Sequence, residues 1–154
     1  LVTVSLTKHK GIVEEMSMQD CIFCKVVRGE IPSAKVFETD DILAFLDINP
    51  VSKGHTLVIP KAHHASFPEI PVELLARVGE ALQKIGTAVK SQLNSAGFNI
   101  LLNNDRAAGQ LIDHSHFHLI PRNLADGVME WPEVHPYAKG EMENIRAALA
   151  SAIQ

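Results

Sequence analysis

The segment His114-Ser115-His116-Phe117-His118-Leu119-Ile120-Pro121-Arg122 limits what this chain can become more than any other stretch. Side chains on extended backbone alternate between two faces, so its three imidazoles share one face, each about 6.6 Å beyond the last. Phe117 and Leu119 face the other way. A strand from Ser115 to Ile120 is predicted, with one side on a core and the other on a cleft. The cleft is required because burying three imidazoles unpaired would cost about 1–3 kcal/mol each. Three chemistries fit the row. The rings are merely solvated, or all three hold one catalytic metal that activates water, or they divide the labour. In the last case the first serves a structural metal, the second is a nucleophile and the third supports it. Imidazole suits nucleophilic work because its ordinary pKa of about 6.5 leaves it largely neutral at pH 7.

With 154 residues, 46% of them apolar, one globular domain with a real core is expected. Fourteen Lys and Arg against eighteen Asp and Glu give a net charge of −4 without a basic stripe. Nucleic acid and anionic membrane are therefore poor partners. No apolar run approaches the roughly 18 residues of a membrane-spanning helix, and no cationic-then-apolar leader precedes the domain. A soluble, unexported, cytoplasmic protein is expected. Residues 1–18, with Met16 and Met18 near their end, read as an extension or remnant; a domain occupies 19–124 and a tail 125–154. The only cysteines, Cys21 and Cys24, are spaced awkwardly for a disulfide but suitably for a metal, with a redox pair as rival.

The elements read as α+β. A short helical turn through Val26 and Arg28 ends at Gly29, where a left-handed cap is expected. Strands follow at Ala34–Phe37 and Ile42–Leu46, joined by the polar turn Thr39-Asp40-Asp41, and at His55–Ile59, stopped by Pro60. Pro71 opens a long helix whose stripe of Leu75, Val78, Leu82, Ile85 and Val89 must cover a sheet or a partner. Phe98–Leu102 and the histidine strand complete an antiparallel sheet of about five strands. A weaker amphipathic helix with Met142, Ile145 and Leu149 on one face closes the tail.

Cys21-Ile22-Phe23-Cys24, Gly29-Glu30-Ile31-Pro32, Ala44-Phe45-Leu46-Asp47, Gly54-His55-Thr56-Leu57-Val58-Ile59-Pro60-Lys61, Gly109-Gln110 and the alternating histidines stand in one order. Together, over Cys21 to Arg122, they resemble the histidine triad (HIT) superfamily of nucleotide hydrolases and transferases. The resemblance implies an antiparallel HIT-like sheet with one long helix, and a homodimer paired through helix and sheet edge. It also implies attack by His116 on the α-phosphorus of a nucleoside phosphoramidate or related conjugate. His118 and His55 are implied as supporting histidines, and Asn103 and Gln110 as donors to the phosphate. Asp47 would bind ribose hydroxyls, and Phe23, Phe45 and Ile48 would surround a purine base. A dinucleoside polyphosphate hydrolase and a non-catalytic nucleotide-binding scaffold are the alternatives.

Cys21 and Cys24 resemble the pair of those members that hold a structural zinc, completed here by His63, with His64 as its alternative, and by His114. Two thiolates and two imidazoles close a tetrahedron with no open position, which points to folding rather than catalysis. Two departures stand out. Leu111 replaces the small hydroxyl residue common after Gly-Gln, and Asp113 replaces an aromatic or aliphatic residue before the triad. Met129-x-Trp131-Pro132 faintly resembles a segment that reaches a partner's site in some members.

Overall fold

The protein is described by a computed structural model covering residues 20–128 and 134–153. The expected extension at 1–18 and the Met129-x-Trp131-Pro132 segment lie outside the described residues.

Five strands form one antiparallel sheet: β1 (Lys35–Glu38), β2 (Ile42–Leu46), β3 (Thr56–Pro60), β4 (Gly97–Leu101) and β5 (Phe117–Arg122). Their spatial order is β1-β2-β3-β5-β4. Helix α1 (Ile22–Val27) lies on one face, α2 (Val72–Gln92) on the other, and α3 (Glu141–Ala152) comes last. The turn between β1 and β2 closes because Thr39 Oγ1 accepts the Ile42 N–H at 3.0 Å, a side chain doing the work of a backbone turn.

Alternation sorts the central strands onto two cores. Ile42 and Ala44 of β2, Val58 of β3, and Phe117 and Leu119 of β5 meet Val78, Ala81, Leu82, Ile85 and Val89 of α2. Leu43 and Phe45, with Leu57 and Ile59, meet Phe23 and Val26 of α1. Both faces of β2 and β3 are thus buried, which is why they read as nearly continuous apolar runs. Close approach of α2 to the sheet depends on Gly86: a Cβ there would lie 2.5 Å from the Phe98 ring.

One open alternative is decided and one expectation needs correcting. The α2 stripe covers the chain's own sheet, since a sheet face this apolar must be covered. The histidine strand joins the ladder only at Phe117, two residues later than expected. Before it, the Ser115 N–H turns to the His64 carbonyl at 2.7 Å, so the backbone is satisfied by a loop. The separation of faces still holds. Phe117 and Leu119 lie in the α2 core, while His118 pairs with Leu57 of β3 and Leu101 of β4. On α3, Met142, Ile145 and Leu149 are all exposed.

Candidate active site and metal centre

Four donors from three parts of the chain converge between α1 and the start of the histidine segment. Cys21 Sγ and Cys24 Sγ each lie 3.6 Å from His114 Nδ1, and Cys24 Sγ lies 3.3 Å from His63 Nδ1. A tetrahedral zinc with its usual bonds to sulfur and nitrogen would separate S and N by about 3.6 Å. The equal approach of both sulfurs to one ring nitrogen therefore fits a shared metal ion better than a single hydrogen bond. His114 is fully buried, and its Nε2–H donates to the Pro60 carbonyl at 2.8 Å, leaving Nδ1 free to coordinate. His63, rather than His64, completes the group. Burial and the neighbouring Cys21 push the Cys24 thiol up to about 11, while burial holds His114 down at about 4. Both are therefore neutral without a metal, and a divalent cation binding here would have to displace the thiol proton while the imidazole coordinates as it stands. Asp113 is exposed, so its departure from an apolar residue carries no burial cost.

Beside this centre lies a cavity of about 490 Å³, lined by Phe23, Phe45, Asp47, Ile48, Asn103, His116 and His118 among others. The Nδ1–H of His116 donates to the His114 carbonyl at 2.6 Å. Its remaining lone pair is then on Nε2. Phe23 packs edge-on against the His116 ring, with centroids 5.2 Å apart, and against Phe45 at 5.7 Å. The same aromatic thus holds the ring and forms the cavity wall.

A second chain of hydrogen bonds fixes the supporting histidines. The Val51 N–H donates to His55 Nδ1 at 3.2 Å, which puts the proton of neutral His55 on Nε2. From there it donates to His118 Nδ1 at 2.9 Å, so the His118 proton sits on its own Nε2. That nitrogen is buried and has no partner among the described residues. A buried donor left open beside a cavity is a place for an acceptor to bind. Gly54 sets up this relay. It holds φ at +89°, and a Cβ there would come within 2.4 Å of Leu93. Asp47 spends Oδ1 on the Asn49 N–H at 2.8 Å and keeps Oδ2 3.6 Å from His55 Nδ1.

Gln110 differs from its expected role. Its Oε1 accepts the Asp105 N–H at 2.8 Å, and its Nε2 donates to the carbonyls of Ala65 and Ile112 at 2.7 and 2.9 Å. Its side chain is committed to three backbone groups, so it serves the site by holding the loop. Asn103 keeps its place in the cavity lining, and Ile48 stands at the mouth, 90% exposed. Sequence reasoning missed Ser33, which lines the cavity with a buried hydroxyl that has no partner among the described residues, and the Val51 N–H. A lone serine and a backbone donor carry no pattern that could have flagged them.

Burial holds His118 down at about 4, with the charges of His116 and His55 adding to the effect, and it lowers His55 despite Asp47 nearby. An imidazole with a depressed pKa binds fewer protons folded than unfolded, so stability rises with pH between the two values. Acidification from about pH 6.5 toward 4 should destabilise the protein. The His118→Gln variant should lose less stability across that window in urea unfolding at several pH values. Parallel losses in the two proteins would refute this assignment.

The HIT domain family model matches residues 28–124. A crystal structure of a HIT family member from Bacillus subtilis superposes with a TM-score of 0.79 at 43% identity, covering 86% of this chain and 96% of that one. A zinc-bound histidine triad protein from Mycobacterium smegmatis gives 0.70 at 34% identity, covering 88% and 96%. The adenosine 5'-monophosphoramidase of Candida albicans is 43% identical over 122 residues, 75% of this chain and 80% of its own. An adenylylsulfatase of Arabidopsis thaliana is 44% identical over 117 residues, 75% and 59%. By the match of its sequence to the family model and by its likeness in sequence and fold to the solved members, this chain belongs to the HIT domain family.

Proposed function

We propose that this protein is a nucleotide hydrolase that cleaves nucleoside 5'-phosphoramidates, or related nucleotide conjugates, at the α-phosphate. The observation that carries the reading is the state of His116. Its Nδ1–H is held by a backbone carbonyl at 2.6 Å, so Nε2 is the free nucleophile in a cavity that the ring lines. The relatives named as a phosphoramidase and an adenylylsulfatase support attack on an adenylyl phosphorus.

In the first step the Nε2 lone pair of His116 attacks phosphorus and the bond to the leaving amine breaks. The bonding pair goes to the amine nitrogen, which takes a proton from solvent at the cavity mouth. The ring, now cationic, remains bonded to the His114 carbonyl through Nδ1–H. In the second step water attacks the same phosphorus, the P–N bond to His116 breaks, and a proton returns to solvent. Nucleoside monophosphate leaves and neutral His116 is restored. One difficult displacement thus becomes two easier ones. Charge growing on the phosphoryl oxygens meets His118 Nε2–H, already oriented through His55 and Val51, and the Asn103 amide. Gln110 keeps their loop in place. The purine base lies against Phe23 and Phe45 with Ile48 at its edge, and Asp47 takes the ribose hydroxyls.

The four-donor centre binds one structural zinc, whose contribution is to tie α1 to the histidine segment. Two adjacent reduced cysteines are consistent with the cytoplasm. The chain forms a homodimer through the open edge of β4, which presents Ile100 to solvent. Light scattering should give twice the chain mass, and a monomer at micromolar concentration would refute the pairing. Capture of a phosphorus-labelled nucleotide on His116 tests the chemistry.

A further inference from the structure

Leu111 stands where two neighbours are fixed and it is not. Gln110 is buried and clamped to Ala65, Asp105 and Ile112, and Ile112 packs against the core around Phe23 and Leu43. Between them, Leu111 is 78% exposed and lines the cavity that contains His116. An apolar side chain is therefore held in water by a rigid loop at the mouth of a reaction cavity. Ile22, 45% exposed, joins it on the rim. Charge gives a second, independent observation. Among the described lining residues there is no Lys or Arg, and the one formally charged side chain is Asp47. A single phosphate finds neutral donors here. A leaving group bearing further phosphates would find no cation and one carboxylate.

We propose that Leu111 contacts the leaving group and selects nucleotide conjugates whose leaving group is an uncharged, apolar amine, aromatic or aliphatic, over unsubstituted ammonia and over polyphosphate. The inference rests on the phosphoramidase reading above. With the nucleoside against Phe23 and Phe45 and the phosphate beside His116 and His118, the mouth that remains is where the departing group emerges. Its P–N bond breaks, the electron pair and a solvent proton go to the amine nitrogen, and its apolar substituent covers Leu111, removing both surfaces from water. A hydroxyl residue at this position would instead offer a polar contact and forfeit that burial.

The test compares kcat/KM on three substrates: an adenosine 5'-phosphoramidate with an unsubstituted amine, the same nucleotide carrying a benzylamine, and diadenosine tetraphosphate. Wild-type protein is expected to prefer the benzylamine conjugate over the unsubstituted one by about tenfold or more, a range typical of one apolar group in a pocket. It should cleave the polyphosphate least. In Leu111→Ser the benzylamine preference should fall about tenfold, while Leu111→Met, which keeps the apolar surface, should restore most of it. Because the readout is a ratio within each variant, a general loss of activity does not imitate the effect. An unchanged ratio in Leu111→Ser, or polyphosphate cleavage as fast as the benzylamine conjugate, overturns the proposal and leaves the phosphoramidase reading standing. Failure of wild type to turn over either phosphoramidate removes both.

Discussion

Replacing His116 by alanine should lower nucleotide phosphoramidate turnover by about 10⁴-fold or more, because the residue removed is the proposed nucleophile. Wild-type protein quenched during turnover of an α-phosphorus-labelled substrate should carry label on His116, and the variant should carry none. The fold should survive. The imidazole borders a cavity, so its loss enlarges an existing space, at the cost of one donor to the buried His114 carbonyl. Label on any other residue would sink the mechanism. Loss of labelling on chelation, with the fold intact, would instead favour three histidines around a catalytic metal. The partners of the ring nitrogens speak against that arrangement. His114 directs Nδ1 toward the cysteines, and His118 Nδ1 accepts from His55.

Removing the metal should be the largest stability effect. Purified protein should hold about one zinc per chain, and Cys24→Ser should hold little. Serine nearly matches cysteine in size, so the change reports the ligand rather than packing. A loss of about 3 kcal/mol or more is expected, since structural zinc sites contribute folding free energy directly. For a chain of this length that corresponds to a drop in Tm of about 6–12 °C. Activity should fall as well, though less than in His116→Ala, because the His114 carbonyl that holds His116 belongs to a residue of the proposed metal site. Full zinc content in Cys24→Ser would count decisively against the site.

The sequence was most legible where one short-range pattern dominates. Ile42–Leu46 is a strand with the expected bounds because its residues favour strands and polar or proline-containing turns flank it. The long helix after Pro71 and the opposed faces of Phe117 and His118 followed from period alone. It was less legible where two uses compete for one group. The stripe on α2 could cover a sheet or a subunit, and periodicity does not name the cover. Gln110 could donate to a phosphate or to a loop, and only the positions of Ala65, Asp105 and Ile112 show that its amide is spent. The start of β5 depended on whether a neighbouring strand or the His64 carbonyl met Ser115.

By itself, then, the sequence determined the family, the α+β class and the opposed faces of Phe117 and His118. The tertiary structure alone decided which nitrogen of each ring is free. His114 is tied to Pro60, and His118 to His55, residues 54 and 63 positions away in the chain. A tautomer is set by the hydrogen-bond partner opposite it, and such partners meet only when the sheet has closed. The alternation of side chains is a property of a few consecutive bonds, and so it could be read before any fold was known.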